Sequence, residues 1–448
     1  MLPKADVVTS HTSPVATSVV TSVATSIASC ENQIQIRKAR QDVDLLVDAG
    51  PCFLAESVSH QILSRDLEMV IARHFSDKYY RLILLPNCNA EFYIGWITQI
   101  ELLMAHYKSL QYSVLACAAS HLHFIDASDQ MQELSLTYYS QSIRGLSEIL
   151  AAKAHLENDN GFLTSVILLY LHGCMGKGTY TDIPRHVNAA IRVIRLRLMS
   201  NGLSITQPFD RLAVESVLYQ IFIVTTGNWS DLIPLDDYEF DAEFWLEAEG
   251  LLAQSTLYPG RSISYNSPVL GIPPAIFKLV LSVKKAHQSP FEQDAATIEQ
   301  LKNEVEEWEG PILCDMDLDV LSRYEEANHY TSFYRDTAYL YILISSLLVE
   351  QLVSGQAHPG PPEVAPKDSW QLRKMVQILE SHADDLTWAT CYIANWTVYT
   401  LGFFMSEPED VELVHNDLKR RWHATRFAQL SRFLTDIESI WRQRGLIV

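Results

Sequence analysis

Three observations predict an all-α fold, an irregular multi-helix bundle with no significant sheet. Apolar residues recur at helical spacing along most of the chain, no series of alternating strand positions interrupts them, and the breaks between periodic stretches carry Pro, Gly and acidic clusters. Hydrophobic residues make up 48% of the chain and charged residues 20%, a globular rather than a disordered balance. At 448 residues there is enough chain for a large buried core and for two or three helical subdomains.

Residues 7–29 are rich in Ser, Thr and Val and have neither a helical period nor the bulky side chains needed to pack. Residues 1–35 are therefore expected to be a disordered tail and 36–448 the helical body, with folded structure beginning between Gln33 and Gln61. Within the body, Tyr139, Ile143, Leu146 and Leu150 share one helical face. So do Val187, Ile191, Ile194 and Leu198, then Ile298, Leu301, Val305 and Trp308, then Leu372, Met375, Val376 and Leu379, and last Leu430, Phe433, Ile437 and Ile440. Loops are expected at 158–161, 173–184, 227–241, 258–274 and 354–366. The longest uncharged stretch of the helical body, 386–406, has the length of a membrane span. Its threonines, Asn395, glycine and internal tryptophans make it a buried helix instead, and no membrane is expected as a partner. No repeat of solenoid length is present.

The net charge of −20 opposes sequence-independent binding to a phosphate backbone, so direct DNA binding is disfavoured. Seven cysteines, at 30, 52, 88, 117, 174, 314 and 391, are never closer than 22 residues. They suit a reducing compartment and cannot form a compact cysteine-rich zinc cluster, whose thiolates lie only a few residues apart. The first 29 residues hold one base, Lys4, and no apolar run, so neither a signal peptide nor a mitochondrial presequence is read there.

Several local patterns approach known chemistry and fall short of it. Asp236-Asp237-Tyr238-Glu239-Phe240-Asp241 has the look of a magnesium-binding acidic motif, but Phe240 occupies the place of the third carboxylate. Asn416-Asp417 could begin a partner motif, but Arg420 and Ala424 stand where further ligands belong. Residues 173–179 (GCMGKGT) lack the first glycine and the final hydroxyl of a phosphate loop and follow a helix, so they read as a flexible turn. His172 and Cys174, like His121 and His123, are two apart, which on a helix aims their side chains to nearly opposite sides; Cys174 is expected as a partly buried free thiol. Eight acids between 231 and 249 accompany Phe240, Phe244, Trp245 and Leu246. That mixture is expected to be a solvated loop leading into a helix with inward aromatics, with a coactivator-binding acidic segment as the rival reading. Basic residues gather at Arg185, Arg192, Arg195 and Arg197, and at Lys419, Arg420, Arg421, Arg426 and Arg432; of these Arg420, Arg421, Arg426 and Arg432 are expected round one long helix, on solvated or ion-paired surface. No catalytic, cofactor-binding or metal-ligating residue is assigned, no cofactor is implied, and the chain is not expected to be an enzyme.

An ordered series of segments resembles the fungal-specific transcription factor domain, the helical regulatory region that follows the zinc cluster in fungal zinc-cluster regulators. Residues 67–75 (LEMVIARHF) and 112–121 (YSVLACAASH) resemble its opening helices, and 138–150 (YYSQSIRGLSEIL) its tyrosine-bearing helix. Residues 162–172 and 181–194 resemble an apolar helix followed by a His-plus-Ala helix. The most specific segment is 267–283 (SPVLGIPPAIFKLVLSV), a turn and helix, and 386–441 resembles the closing helices. The series covers about residues 60–441. It departs from the family at Trp388-Ala389, where Trp-Pro is frequent, and at Pro184-Arg185, where an aromatic is common. The six-cysteine DNA-binding module is lacking from the 448 residues.

The resemblance implies a transcription regulator of a fungal gene cluster, for secondary metabolism by the leading expectation. It would act through protein partners, a DNA-binding regulator or a coactivator, with a small-molecule effector as a further candidate. It also implies a nuclear address, with the cytoplasm as the alternative. The rival functional reading is a helical biosynthetic enzyme or ligand-binding accessory protein of such a pathway.

Overall fold

A computed structural model of the chain describes residues 56–86, 88–152, 156–199, 204–231, 237–255, 257–258, 263–291, 293–313 and 332–447. The proposed tail, residues 1–35, and Cys30, Cys52 and Cys314 lie outside them. The chain divides into two units, Met1–Val70 and Ile71–Val448. The described residues of the first are helical and belong to α1 (Glu56–His74), which continues into the second.

In the second unit a π-helical turn, Phe75–Tyr79, leads to α2 (Ala90–Met104), α3 (Lys108–Asp126), α4 (Asp129–Ala152), α5 (Asn160–Met175) and α6 (Ile183–Ile194). After another π turn, Arg195–Met199, come α7 (Pro208–Thr226), α8 (Ala242–Ala253), α9 (Pro274–His287), α10 (Ala295–Leu313) and α11 (Ser332–Val353). The closing elements are α12 (Trp370–Ser381), α13 (Leu386–Thr390), α14 (Asn395–Phe404), α15 (Pro408–Thr425) and α16 (Ala428–Gln443). No strand occurs among the described residues, so the fold is an all-α multi-helix bundle as expected.

Local chemistry sets the helix starts. Asp159, Asp241 and Asp385 accept hydrogen bonds from the backbone N–H of Phe162, Phe244 and Thr387, satisfying donors that a first turn leaves open. Pro208 and Pro408 open α7 and α15, where a missing N–H costs nothing.

Small residues bring α3 against α4 and α5. Ser113 Oγ meets Ser142 Oγ at 2.7 Å, Ser135 Oγ donates to the Ala116 carbonyl at 2.9 Å, and the Cys117 thiol donates to the Leu168 carbonyl at 3.2 Å. The centre of the unit is α7, buried from Phe209 to Val224 and packed against α2, α5, α6, α8 and α9. Beside it Phe222 meets the rings of Phe277, Tyr341 and Trp396 at centroid distances of 4.9, 5.5 and 5.7 Å, which welds α7 to α9, α11 and α14.

Some expectations are corrected. Leu150 is exposed at 55%, because the last turn of α4 projects past the helices it packs on. The break placed at 173–184 begins later: Gly173, Cys174 and Met175 complete α5, and Ile183 already starts α6. The buried helix expected over 386–406 is two helices with a 3-10 turn, Tyr392–Ala394, between them. By length and composition one described helix, Phe333–Val353, could cross a membrane; 83% of its apolar window is buried inside the fold.

Candidate functional site

The turn opening segment 267–283 is held by a carboxylate buried in α7. Glu215 is 1% exposed. Its Oε1 accepts from Arg211 Nε at 2.8 Å, one helical turn away. Its Oε2 accepts from Ser267 Oγ at 2.6 Å and from the Val269 and Leu270 amides at 3.0 and 3.2 Å. Ser267 Oγ in turn accepts from the Leu270 and Gly271 amides at 3.1 and 2.7 Å. Gly271 sits at φ +67, and a Cβ there would come within 2.6 Å of the Tyr334 ring. Only glycine adopts that backbone and allows that approach at no cost. The carbonyls of the same turn accept from the Leu85 amide (to Pro268, 2.9 Å) and from the Tyr392 hydroxyl (to Val269, 2.9 Å). One turn thus ties α7, the Leu85 loop, α11 and the chain before α14 together, which is the physical content of the most specific stretch of sequence.

Next to this junction α2 and the start of α7 line a half-open hollow of about 270 Å³, walled by Phe92, Gly95, Trp96 and Gln99 on α2 and by Gln207, Pro208, Phe209 and Leu212 at the start of α7, with Gly95 and Gln207 exposed at its rim. Among the described residues no charged side chain lines it. The nearest charges on α7, Asp210 with Arg197 of the preceding π turn, pair with each other at 2.7 Å. Tyr80 braces the indole of Trp96, with ring centroids 5.5 Å apart, and its hydroxyl donates to the Phe92 carbonyl at 3.2 Å. Trp96 is 5% exposed, and its indole N–H has no acceptor among the described residues. A second void of about 20 Å³, large enough for one water, shares Trp96 and Leu212 and reaches Tyr392 and Val269 of the junction. Glu215, Gly95 and Trp96 were not singled out in the sequence. The available signals were an Arg and a Glu four apart in a mostly apolar helix and a glycine in mid-helix beside a tryptophan.

The acidic and basic groups picked out separately in the sequence meet. The Arg192 guanidinium bridges Glu239, with Nε to Oε2 at 2.6 Å, and Arg195 pairs with Asp241 at 2.9 Å. Asn188 clasps the loop backbone, donating to the Asp237 carbonyl at 2.9 Å and accepting from the Glu239 amide at 2.8 Å. Phe244 and Trp245 point inward and are buried, whereas Leu246 is 54% exposed. Asp236 lies outside the described residues.

Within the second basic group Lys419 is exposed and Arg420, Arg426 and Arg432 are half-exposed, whereas Arg421 is 0% exposed, which corrects its placement on solvated or ion-paired surface. Its Nε donates to Asp417 at 2.6 Å, its Nη1 to the Cys391 carbonyl at 2.9 Å, and its guanidinium lies 4.6 Å over the Trp388 ring. Trp388 donates to the other oxygen of Asp417 at 3.0 Å and stacks on His382, which contacts Asp336 at 2.9 Å. Asp417, the carboxylate of the would-be partner motif, is therefore spent on two arginines, since Arg420 also reaches it at 2.6 Å. Arg426 takes a left-handed conformation, φ 52, that separates α15 from α16, so the expected single long helix is broken. Arg432 donates to the Cys174 carbonyl at 2.6 Å across to α5.

His172 and Cys174 diverge as expected. His172 bridges Ser135 and Thr179, both at 2.7 Å, and burial lowers its pKa to about 4. Cys174 accepts from Gln220 at 2.7 Å; it is fully rather than partly buried, and burial raises its thiol pKa. His121 lies against His74 at 2.8 Å and the Thr425 carbonyl at 2.9 Å, while His123 faces the Ser128 carbonyl at 2.9 Å. Residues 176–179 form the turn between α5 and the 3-10 start of α6, pinned by the Thr179 contact. Among the described residues no group of three or more His, Cys, Asp and Glu could hold a metal ion.

The helical body and its junction define an all-α domain, and the family follows from comparison. The model of the fungal-specific transcription factor domain matches residues 70–446, and the chain belongs to that family. No curated protein and no solved structure matches the chain.

Proposed function

We propose that the chain is the regulatory body of a fungal transcription regulator that works in the nucleus through protein partners, a DNA-binding regulator or a coactivator. The match to the family over 70–446 carries the reading. The net charge of −20 suits protein partners better than a phosphate backbone, and no closely spaced cysteine cluster occurs in the 448 residues. Control of a biosynthetic, secondary-metabolite gene cluster is the proposed role. The chain is read as non-enzymatic: the carboxylates that approach a magnesium motif are committed to arginine, at Asp417 and at Glu239. Two measurements test this together: RNA sequencing of a deletion strain and nuclear imaging of a tagged chain at native expression. A block of neighbouring genes losing or gaining expression, with nuclear signal, supports regulation. Unchanged transcripts with an accumulating precursor would overturn it in favour of an enzyme.

A further inference from the structure

We propose that the cavity between α2 and α7 is a binding site for a small, neutral, planar molecule that carries one hydrogen-bond acceptor, an aromatic ketone, amide or ester. Four observations converge on that chemistry. The walls are aromatic, with Phe92, Trp96 and Phe209 presenting ring surface, which favours a flat ligand. Among the described residues no charged side chain lines the space, and Asp210 and Arg197 neutralise each other at 2.7 Å, so a charged ligand would give up part of its hydration and find no opposite charge. The Trp96 indole is buried, and its N–H is without an acceptor among the described residues, a donor that a ligand carbonyl would satisfy. The volume of about 270 Å³ has room for roughly ten non-hydrogen atoms, at the small end of ligand sites.

Gly95 makes the site testable without damage to the fold. It stands exposed at the rim of the hollow in mid-helix, and a Cβ built on it meets nothing within 4 Å. A larger side chain there clashes with nothing, covers the mouth of the hollow and improves the helix. The site also borders the junction, since Trp96 and Leu212 wall both the large cavity and the small void that reaches Val269 and Tyr392. Occupancy would press on the turn that Glu215 holds. This proposal stands on the cavity alone; its failure would leave the regulatory reading untouched.

The experiment is ligand-observed NMR titration of the purified full chain with acetophenone, ethylbenzene and benzoate, repeated on Gly95→Leu and Trp96→Phe. Thermal melts establish that each variant is folded. Acetophenone is expected to bind saturably and more tightly than ethylbenzene by roughly fivefold, the weight of one hydrogen bond, and benzoate not at all. Gly95→Leu, folded and at least as stable, is expected to weaken acetophenone by tenfold or more. Trp96→Phe is expected to bring the acetophenone and ethylbenzene affinities together. The proposal is overturned if no probe binds saturably, if a folded Gly95→Leu binds acetophenone as the parent does, or if the preference survives Trp96→Phe, in which case a water in the small void holds the indole.

Discussion

Replacing Lys284 with methionine should make this protein more stable, and the gain should shrink as the pH rises. Lys284 is 3% exposed in α9; its Nζ donates to Gln288 at 2.7 Å and lies 4.8 Å over the Trp229 ring. Burial drives its pKa from 10.5 down to about 7. Between those values the unfolded chain holds a proton that the folded chain does not, so folding releases a proton and stability climbs with pH across that window. At 1.4 kcal/mol per pH unit, the cost of giving up this proton on folding is roughly 4 kcal/mol at pH 7 and roughly 2 kcal/mol at pH 9. The hydrogen bond from the buried amine to the glutamine oxygen returns about 1 kcal/mol. Lys284→Met keeps the apolar stem, so its net gain is expected at about 2–3 kcal/mol at pH 7, falling by about 2 kcal/mol by pH 9. The neighbouring His287 is also pushed down by burial and titrates below this window. The assay is urea unfolding of both proteins at half-unit pH steps from 7 to 9, compared as a difference so that tyrosines and cysteines cancel. A difference that stays flat with pH, or a methionine variant less stable at pH 7, would refute the reasoning by showing an ammonium stabilised in place.

Three further outcomes follow from named contacts. Glu215→Ala strips the acceptor from Ser267 and two backbone amides and strands the buried Arg211, so urea unfolding should show a loss of about 3–5 kcal/mol; a loss under about 1 kcal/mol would remove the junction from the account. Gly271→Ala forces a Cβ into the Tyr334 ring at φ +67 and should cost at least about 2 kcal/mol, whereas Gly95→Ala should stabilise by about 0.5–1 kcal/mol; equal melting shifts for the two would contradict both placements. Burial raises the thiols of Cys88, Cys117 and Cys391 to about 12 and that of Cys174 in the same direction, so iodoacetamide at pH 8 should leave all four unmodified in the native protein and alkylate them in urea, as peptide mass spectrometry would read.

Helix existence was legible in the sequence because a 3.6-residue period is a local property. Val187, Ile191, Ile194 and Leu198 fall on one face in sequence and are all buried in the fold. Helix ends were less so. Residues 386–406 read as one apolar stretch, yet the chain breaks at Tyr392–Ala394, where the Tyr219 hydroxyl takes the Tyr392 carbonyl and the Tyr341 hydroxyl takes that of Ile393. Those donors come from α7 and α11, far away in sequence, and no local pattern announces them. Arg421 was misplaced for a similar reason. A guanidinium is surface by default, and only Asp417, the Cys391 carbonyl and the Trp388 ring together make its burial tolerable.

The sequence by itself determined the class of fold, the caps and prolines that start its helices, and the family to which the chain belongs, since each is encoded in residues close together or in an ordered series of them. Tertiary structure alone decided what the charges and the cavity are. The bases at the end of α6 and in the π turn after it are about fifty residues from the acids before α8 yet pair with them directly, and Gly95 and Leu212 wall one space from two helices. Ion pairing and enclosed volume depend on distances between elements, and those are fixed only when Glu215 closes the turn at Ser267 and the helices pack around α7.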